Sequence, residues 1–511
     1  MIEKSISTIL FDCTTLLYWN RSPVGIVRAE LEIAEYLLQT DFRIKYVQFN
    51  KQRDEISEIS AENIQEVCAH LRGTQENNHS SFKIISPIKN HLHSLSNRLE
   101  KYGKNIEKIL KKYANKELIK SQKEKIQEEL EAIKIPPITR LTRNLFDKET
   151  LFISGGLDWD LSNYSLLYLL KKEINFKFIG IFYDVIILRN PEWAASTDLL
   201  KRFNLFFYYL ATMSDGLVTI SEFSKSEFLK LAKDYHITPT SQINVLHLGS
   251  SPLQKQEESN QPHTKQESNS QAQSTQLLPT IVESPEIYLK IDSKTGEFIS
   301  SDSPDIEPQK QTPSTNPLIA RFAKRPHSDF YALYVSTLEI RKNHQILLEA
   351  WKILQQHNNI RIPDLVFVGM EGWGVEKLLK EIQQEQFKNK VFWYSDVTDE
   401  ELKDLYQKTA FTLFPSFAEG WGLGAAESLS YGKVAIISNA PALAEATQNL
   451  MPIIDAHNAY EWANIVSTFS NQPAKLQSLE KKIKEQFKQR RWRDFAEECI
   501  NFAIHAQKEQ R

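Results

Sequence analysis

The segment "FTLFPSFAEGWGLGAAES" (residues 411–428) joins a strand-like apolar run to a glycine-rich turn and the start of a helix. The turn has glycines at three alternate positions, Gly420, Gly422 and Gly424. Glycine lets a backbone approach a ligand closely, and a helix that begins near Leu423 directs free N–H groups at the same place, which favours an anion. Glu419 and Glu427 stand eight positions apart here, and neither is a good core residue. The pattern predicts a binding site for an anionic ligand where the strand gives way to the helix.

Strand-like apolar runs alternate with helices on both sides of this segment. Six runs precede residue 250 and five follow residue 325, at 7–12, 43–49, 151–156, 176–184, 216–221, 243–249, 331–337, 365–369, 391–395, 411–416 and 434–438. Such an alternation predicts parallel sheets covered on both faces. The predicted fold class is α/β, with two Rossmann-like doubly wound domains that face each other across a cleft. Ligands are expected at the carboxyl ends of the strands, so that cleft is the expected active site.

Two irregular stretches interrupt the α/β pattern. Residues 251–325 are rich in Gln, Ser, Asn, Glu and Pro, so they cannot bury enough surface to offset the entropy of ordering. They predict a disordered linker or insertion between a first domain at 1–250 and a second domain at 326–490. Residues 91–133 carry a helical apolar stripe and an excess of basic side chains. Two interpretations stay open for this insertion: a solvated helical hairpin on its own domain, or a surface that meets anionic lipid or a partner helix.

The composition excludes several classes of protein. The 511 residues carry a formal net charge of −3, so no basic field points to nucleic acid. The three cysteines, Cys13, Cys68 and Cys499, are far apart and suit neither a disulfide framework nor a metal site, which indicates a reducing compartment. The N-terminus lacks the apolar core of a signal peptide, and no stretch approaches the ~20 apolar residues that span a bilayer. We expect a cytoplasmic protein that is either free or in peripheral contact with the inner face of a membrane.

A pair of adjacent cations follows the strand-like run at 331–337. Arg341 and Lys342 stand at the turn into the next helix, where arginine can grip a phosphate with two hydrogen bonds and lysine adds a point charge. The alternative is that both side chains face solvent, although cations at a helix start oppose the helix dipole. Together with the glycine-rich turn and the two glutamates, the pair favours a site for a diphosphate.

These motifs resemble those of the retaining glycosyltransferases of family 4, which have the GT-B fold and are also called glycosyl transferases group 1. Glu419 and Glu427 match the family pattern E-G-[FW]-G-x-x-x-x-E, and "YVSTLEIRKNHQILLEAW" (334–351) is similar to the family's "GTLEPRKN" loop. Other segments resemble family segments in the same order: "RSPVGIVRAELEIAEYLL", "YDVIILRNPEW", "DGLVTISEFSKSEF", "LVFVGMEGWG", "VTDEELKDLYQKTAFTLFPS" and "SYGKVAIISNAPALAEA". The likeness covers both domains, more loosely in the first, and is greatest to mannosyltransferase-like members.

The resemblance implies that different residues of the site bind different parts of the donor. Glu427 is expected to accept hydrogen bonds from the ribose of a nucleotide-sugar donor. Glu419 is expected to contact the donor sugar, or to stabilise positive charge that develops at its reacting centre. Arg341 and Lys342 are expected to hold the diphosphate and, with Glu419, to be the catalytic residues. No metal and no cofactor are expected, because the cations of the protein take the place of a metal.

The same resemblance assigns further residues to the two substrates. The donor side includes Ser336, Thr337, Gly422, Leu423 and Gly424. The acceptor side includes Gly25, Arg28, Tyr183 and Asp184. Tyr183 stands where many members have a histidine that contacts the donor sugar, so either Tyr183 or Asp184 replaces it or both are structural. Thr337 belongs to a site where some members have a phosphate-binding arginine. The last helix, in 491–511, is expected to pack back on the first domain.

Two other polar patterns favour a structural interpretation. Asp158 and Asp160 form a D-x-D pattern that binds a metal in a different glycosyltransferase fold. Here it follows a first-domain strand and favours a solvated or acceptor-contacting loop. His247 ends the last strand of the first domain, and a packed or hinge histidine is favoured over a catalytic one.

The activity that the resemblance implies is transfer of a hexose, with retention, from a nucleotide-diphosphate sugar to a saccharide or lipid-linked acceptor, as in polysaccharide biosynthesis. GDP-mannose is favoured over UDP-glucose and similar donors because "LEIRKN" is closest to members that use it. Two alternatives stay open. A sugar-nucleotide epimerase of the same fold would need an acid/base pair at the sugar. A non-catalytic glycan- or nucleotide-binding scaffold would be expected to lack Glu419, Arg341 or Lys342, and all three are present.

Overall fold

The structure, a computed structural model, describes most of the two predicted domains. The described residues are 8–20, 22–23, 25–50, 55–73, 140–239, 241–251, 290–291, 298–299, 328–357, 360–395 and 397–509. The chain divides into one compact unit, residues 1–253 with 316–511, and a second unit, residues 254–315. The predicted helical insertion at 91–133 lies outside the described residues.

Seven strands form the sheet of the first domain: β1 (Thr8–Asp12), β2 (Ile44–Phe49), β3 (Ile56–Ile59), β4 (Thr150–Ser154), β5 (Lys177–Phe182), β6 (Gly216–Thr219) and β7 (Gln242–Val245). Their order is β3-β2-β1-β4-β5-β6-β7, and β3 alone runs antiparallel to its neighbour in this sheet. The apolar runs of the sequence predict six of these strands. They miss β3 because its sequence "ISEI" is partly exposed at the edge of the sheet and has no continuous apolar run.

Helices lie between these strands: α1 (Thr14–Tyr18), α2 (Gly25–Leu38), α3 (Ala61–Leu71), α4 (Arg140–Arg143), α5 (Asp158–Leu161), α6 (Tyr164–Ile174), α7 (Ile186–Arg189), a 3₁₀ turn (Pro191–Trp193), α8 (Thr197–Met213) and α9 (Glu222–Asp234). They cover both faces of the sheet. Ile9 and Phe11 of β1 belong to one apolar core and Leu10 between them belongs to another. Successive side chains of a strand point to opposite faces, so the three central positions of β1 are apolar on both faces.

The segment predicted to be a linker, 251–325, is described mainly at two short strands, β8 (Lys290–Ile291) and β9 (Phe298–Ile299). They pair with each other in antiparallel register, with Lys290 opposite Ile299. The sequence does not predict this pair. The prediction for the rest of the segment falls almost entirely outside the described residues.

Six parallel strands form the sheet of the second domain: β10 (Tyr331–Val335), β11 (Asp364–Val368), β12 (Val391–Tyr394), β13 (Phe411–Phe414), β14 (Ala435–Ser438) and β15 (Ile453–Ile454). Their order is β12-β11-β10-β13-β14-β15. The helices of this domain are α10 (His344–Gln355), α11 (Glu376–Ile382), α12 (Asp399–Lys408), α13 (Leu423–Ser430), α14 (Pro441–Ala446), α15 (Ala459–Asn471) and α16 (Pro473–Gln486), with 3₁₀ turns at Ile340–Lys342 and Glu385–Phe387. The predicted fold class, two doubly wound Rossmann-like domains, is confirmed.

The strand order reverses direction once in each parallel sheet. In the first domain the chain moves outward from β1 to β2 and then returns to place β4 on the other side of β1. In the second domain the same reversal separates β10 from β13. Loops on either side of such a reversal leave a crevice at the carboxyl ends of the strands, where ligands bind in open α/β sheets. The loops after β10 and β13 are therefore the place to look for a site.

The last helix, α17 (Trp492–Glu509), packs on the first domain although it follows the second in sequence. Trp492, Phe495 and Cys499 share an apolar core with Val27 and Leu31 of α2. The segment that follows β7 packs closely on the start of α17, because a Cβ at Gly249 would lie 2.5 Å from the indole of Trp492. Among the helices that the structure describes, none is long and apolar enough to cross a bilayer.

Candidate active site

The loops that follow β10 and β13 are tied together at the reversal point of the second sheet. The first loop ends in the 3₁₀ turn Ile340–Lys342, and the second leads through Glu419 into α13. Asn343, which has a φ of 56°, lies between the first loop and α10. Its side-chain amide donates to the carbonyls of Pro415, at 3.0 Å, and of Ala456, at 2.8 Å. The two cations just before Asn343 are thereby held beside the second loop.

Glu419 is buried in a cluster of charges that these two loops form. Lys342 Nζ donates to both of its carboxylate oxygens, at 2.6 and 2.7 Å, and Arg341 Nη1 donates to one of them at 3.2 Å. The Ser416 hydroxyl donates to the same carboxylate at 2.7 Å. Glu339 pairs with Arg341 Nη2 at 2.8 Å. The structure thus brings together the three residues predicted to be catalytic, and it pairs the glutamate directly with both cations.

The neighbouring charges in this cluster shift the pKa values of its members. Burial raises the pKa of Glu419, but Lys342 and Arg341 outweigh burial and bring it to about 2. The pKa of Lys342 is lowered, first by burial and then by the charge of Arg341. The pKa of Arg341 is raised, because Glu419 and Glu339 together outweigh its burial. At neutral pH Glu419 is therefore a carboxylate, which can accept hydrogen bonds but cannot supply a proton.

The helix α13 begins at the far side of this cluster, as the sequence predicts. Its N-cap is Gly422, whose φ of 102° a residue with a side chain rarely adopts, and no side chain caps the helix there. A Cβ at Gly422 would lie 2.5 Å from Leu443, and one at Gly424 would lie 2.7 Å from the Phe414 ring. The first N–H groups of an uncapped helix need a partner from elsewhere, and an anion is a suitable one.

Glu427 lies one helical turn into α13, where two side chains among the described residues lie near its carboxylate, both at long distances. The Tyr406 hydroxyl is 3.4 Å from one oxygen, and Arg28 Nη1 of the first domain is 3.7 Å from the other. Burial raises the pKa of Glu427 to about 7, and Arg28 offsets part of that effect. The carboxylate therefore keeps the capacity to accept stronger hydrogen bonds from a ligand.

Arg28, predicted to border the acceptor, lies instead beside the predicted ribose-binding glutamate. Its guanidinium stacks on the Trp492 ring, 4.6 Å from the centroid, and donates to the Ser251 carbonyl at 2.8 Å. It is buried where the chain crosses between the domains. Local sequence does not show that α2 faces α13, so it does not predict this neighbour, and contact of Arg28 with an acceptor stays a prediction. Gly25, assigned to the same side, is the first residue of α2, with nothing within 4 Å of the place that a Cβ would take.

Tyr183 and Asp184, the two candidates for the missing histidine, point in different directions. The Tyr183 side chain is buried in the first domain, where its hydroxyl donates to the Gly155 carbonyl at 2.6 Å. This contact fits the structural alternative for Tyr183, and its place on the acceptor side stays a prediction. Asp184 faces the second domain: a Cβ at Gly420 would lie 3.2 Å from its Oδ2 atom. Burial raises the pKa of Asp184, and Arg341 in the facing loop lowers it.

Ser336 and Thr337 lie where the ends of β10 and β11 come closest. A Cβ at Gly369 would lie 2.0 Å from the Ser336 carbonyl, and one at Gly372 would lie 3.2 Å from the Thr337 side chain. The Ser336 hydroxyl is 3.2 Å from Nε2 of His344, a buried imidazole whose pKa burial lowers to about 3. Both residues are at the strand end as predicted, and their contact with a donor stays a prediction.

Contacts between the domains around Glu419 are largely invisible to local sequence reasoning. The Ser221 hydroxyl donates to the Gly420 carbonyl at 2.6 Å. His247 stacks on the Trp421 ring at 4.5 Å, and its Nε2 atom is 2.7 Å from a carboxylate oxygen of Glu445. The packed role favoured for His247 is therefore found in a contact with the second domain. The position of His247 at the end of a strand is the sequence feature that indicates a contact at the edge of its own domain.

The structure separates the two members of the D-x-D pattern: Asp158 belongs to the first-domain interior, whereas the Asp160 side chain is 33% exposed, and both lie in α5 rather than in a loop. Asp158 is buried and accepts hydrogen bonds from Ser154 at 2.9 Å and Tyr164 at 2.8 Å. Asp160 pairs with Arg202 of α8 at 2.9 Å. Across the residues that the structure describes, no group of three or more His, Cys, Asp or Glu side chains is placed to hold a metal ion.

The fold and the site define an α/β protein with the GT-B arrangement of two Rossmann-like domains, in which a buried cluster of cations and carboxylates lies where the domains meet. Residues 317–489 match the family described as glycosyl transferases group 1. The match contains the cluster around Glu419, α13 and Glu427.

Curated relatives match the chain over part of their own length. O-antigen chain mannosyltransferase B of Escherichia coli is 35% identical over 115 residues, which cover 22% of this chain and 30% of that protein. The serotype-specific mannosyltransferase WbdA of Escherichia coli is 24% identical over 315 residues, which cover 60% of this chain and 31% of WbdA. The matched part of the chain thus spans less than a third of either relative.

Solved structures match over nearly the whole chain at low identity. HepE of Anabaena, solved in complex with UDP-glucose, has a TM-score of 0.49 and 12% identity, and the match covers 98% of this chain and 99% of HepE. A glycosyltransferase from Rickettsia africae has a TM-score of 0.48 and 15% identity, and covers 98% of each chain.

Proposed function

We propose that the protein is a retaining, metal-independent glycosyltransferase that moves a hexose from a nucleotide-diphosphate sugar to a saccharide or lipid-linked acceptor. The observation that carries this proposal is the buried cluster of Lys342, Arg341 and Glu419 at the carboxyl ends of β10 and β13. It lies beside the uncapped start of α13, with Glu427 one turn further along the same helix. One such crevice offers cations for a diphosphate and two carboxylates for hydroxyl groups.

In the proposed complex, the donor shares the two cations with Glu419. Arg341 presents a planar fork and Lys342 a point charge, and the first N–H groups of α13 add a third set of donors. The ribose hydroxyls donate to Glu427, whose present contacts at 3.4 and 3.7 Å are long enough for shorter ones to replace them.

The proposed reaction breaks the bond between the anomeric carbon and the phosphate oxygen, and the electron pair leaves with the nucleoside diphosphate. Lys342, Arg341 and the helix N–H groups stabilise that growing negative charge because they are fixed in place beforehand. The acceptor hydroxyl forms the new bond from the face that the leaving group vacates, and its proton departs with the diphosphate. Glu419, which stays ionised with a pKa of about 2, accepts hydroxyl groups of the donor sugar or stabilises positive charge on its ring.

GDP-mannose is the donor that we propose. The sequence "LEIRKN" supports it through its resemblance to enzymes that use this donor. Two relatives that are mannosyltransferases of Escherichia coli support the same donor. A glycan that grows on a saccharide or lipid-linked primer is the corresponding acceptor.

The first test is a thermal-shift panel of GDP-, UDP-, ADP- and dTDP-sugars. A donor present at about a hundred times its Kd stabilises the folded state by ~2.7 kcal/mol. We expect one donor to raise the melting temperature in the wild type and not in Lys342→Met. The matched control is Lys352→Met, because Lys352 of α10 is also paired with a glutamate of the same domain, Glu381, at 2.5 Å. We expect this variant to show the same donor-induced shift in melting temperature as the wild type.

The second test measures turnover with the donor that binds. We expect release of the nucleoside diphosphate that is unchanged by EDTA, and a transferred sugar whose anomeric configuration, read by NMR, equals that of the donor. An inverted product would contradict retention, and loss of turnover in EDTA would contradict metal independence. An epimerised donor without transfer would support the epimerase, and a Glu419→Ala variant that keeps its biological role would support the scaffold.

A further inference from the structure

The N-terminal turn of α9 in the first domain contacts the loop that carries Glu419 in the second. Ser221, the N-cap of α9, donates its hydroxyl to the Gly420 carbonyl at 2.6 Å while its oxygen accepts the N–H of Ser224 at 2.9 Å. Both serines are buried. The acceptor of this contact belongs to the residue directly after Glu419, so the first domain holds the backbone of the candidate catalytic loop.

A second hydroxyl on the same turn, that of Ser224, also lies near the Gly420 carbonyl, and the distances show which serine donates to it. Ser224 Oγ lies 2.7 Å from the Tyr183 carbonyl and 3.0 Å from the Gly420 carbonyl. A hydroxyl has one proton to donate, and the shorter contact is with Tyr183 inside its own domain. With Ser224 so engaged, Ser221 is the donor to Gly420, and this bond forms only while the two domains are in contact.

The surroundings of Gly420 show that this approach is tight. A Cβ there would lie 2.7 Å from the Tyr183 carbonyl, so backbone meets backbone with no room for a side chain. Glu445 of the second domain makes a parallel contact by accepting the N–H of Glu222, the first residue of α9, at 2.8 Å. The partial positive charge of the α9 N-terminus favours that carboxylate.

We propose that Ser221 is a positioning residue of the transfer reaction, whose hydroxyl fixes the Gly420 carbonyl, and with it Glu419, when the domains are closed. This inference rests on the function proposed above. Ser221 lies in the first domain, outside the second-domain loops that hold the donor in that proposal. Its loss is therefore expected to reduce the rate of reaction more than the affinity for the donor.

The test compares two serines that cap helices of the first domain. Ser221→Gly removes the hydroxyl but keeps a residue that is almost as good an N-cap. The control is Ser60→Gly, because Ser60 caps α3 through the N–H of Asn63 at 3.2 Å and is exposed. For each variant we would measure the melting temperature, the Kd for GDP-mannose, and the rate at which GDP-mannose is hydrolysed with water as acceptor.

We expect Ser221→Gly to hydrolyse the donor about tenfold more slowly than the wild type, the effect of losing one well-aligned hydrogen bond in the transition state. Its Kd should change less than about threefold, and Ser60→Gly should match the wild type in both. Equal hydrolysis by the two variants, or a loss that appears wholly in Kd, would overturn the proposal while the proposed function stands. A wild-type chain that neither binds nor hydrolyses any nucleotide sugar of the panel would overturn both.

Discussion

The ionisation of Glu427 leads to a quantitative prediction about donor binding. Its carboxylate is buried against Tyr406 and Arg28, and its pKa is raised to about 7, mainly by burial. In the proposed complex two ribose hydroxyls donate to this group, one to each oxygen, and both oxygens are strong acceptors only when the group is ionised. Binding of the donor should therefore favour the ionised form and release a proton from the fraction of molecules in which Glu427 is protonated.

The size of the effect follows from the pKa. Because the pKa is raised, the carboxyl group is mostly protonated below about pH 7 and mostly ionised above it. About one tenth of the molecules are ionised at about pH 6 and about nine tenths at about pH 8. The apparent Kd equals the intrinsic Kd divided by the competent fraction, so the donor should bind about tenfold more tightly at the higher pH. Both phosphates of a nucleotide sugar are diesters that do not titrate in this range, so the dependence belongs to the protein.

Calorimetric titration of GDP-mannose at these two pH values tests the prediction. Glu427→Gln should bind more weakly than the wild type at about pH 8 and should show nearly the same Kd at both values. Glu376→Gln, which changes an exposed glutamate of α11, should keep the wild-type dependence. A wild-type Kd that does not change with pH, or a dependence that persists in Glu427→Gln, would refute the reasoning.

Three other substitutions give separate readouts of the same region. Lys342→Met leaves the buried Glu419 with one cation, so the free energy of unfolding in denaturant should fall by about 3 kcal/mol, and adding Glu419→Gln should restore part of it. Gly422→Ala puts a Cβ 2.5 Å from the Leu443 side chain of α14, at a φ of 102°. It should lower the melting temperature more than Gly432→Ala, because Gly432 has a φ of 72° but open space around the position of a Cβ. Equal decreases in melting temperature would contradict a destabilising clash at Gly422. Glu445→Gln weakens the contact with α9, so small-angle scattering should give a larger radius of gyration, whereas an unchanged radius would mean that the contact does not hold the domains together.

Most strands that the sequence predicts have two buried faces; the edge strand β7, with no fully buried residue, is recognised because the apolar run continues past it to Leu248. Every residue of β1 is buried, and the run "TILFD" is apolar enough to be recognised alone. By contrast β3 alternates buried and exposed positions, and β15 is two residues long, with Ile453 exposed. These edge strands are defined by the neighbour that they pair with rather than by their own composition, so a local pattern does not reveal them.

The candidate site divides in the same way. Arg341, Lys342 and Glu419 come from two short motifs whose own turns bring them to the same sheet edge, and the sequence predicts that meeting. The direction of the Tyr183 side chain cannot be predicted in this way. Neighbouring residues of an extended chain point to opposite sides, and the motif does not show which of Tyr183 and Asp184 faces the cleft. Contacts such as that of Ser221 with Gly420, which are 199 residues apart, depend on how the domains meet.

The helix α17 gives the molecule an order of assembly that differs from its order of synthesis. Trp492, Phe495 and Cys499 complete the core beside α2, so the first domain cannot bury that face until residue 499 has been made. The second domain, whose strands and helices lie between residues 331 and 486, has an apolar core of its own made of residues between Ala332 and Ile483, so that core can form during synthesis. The nascent first domain must therefore keep an apolar surface exposed while the second domain folds. During this interval the exposed surface favours aggregation and binding by chaperones.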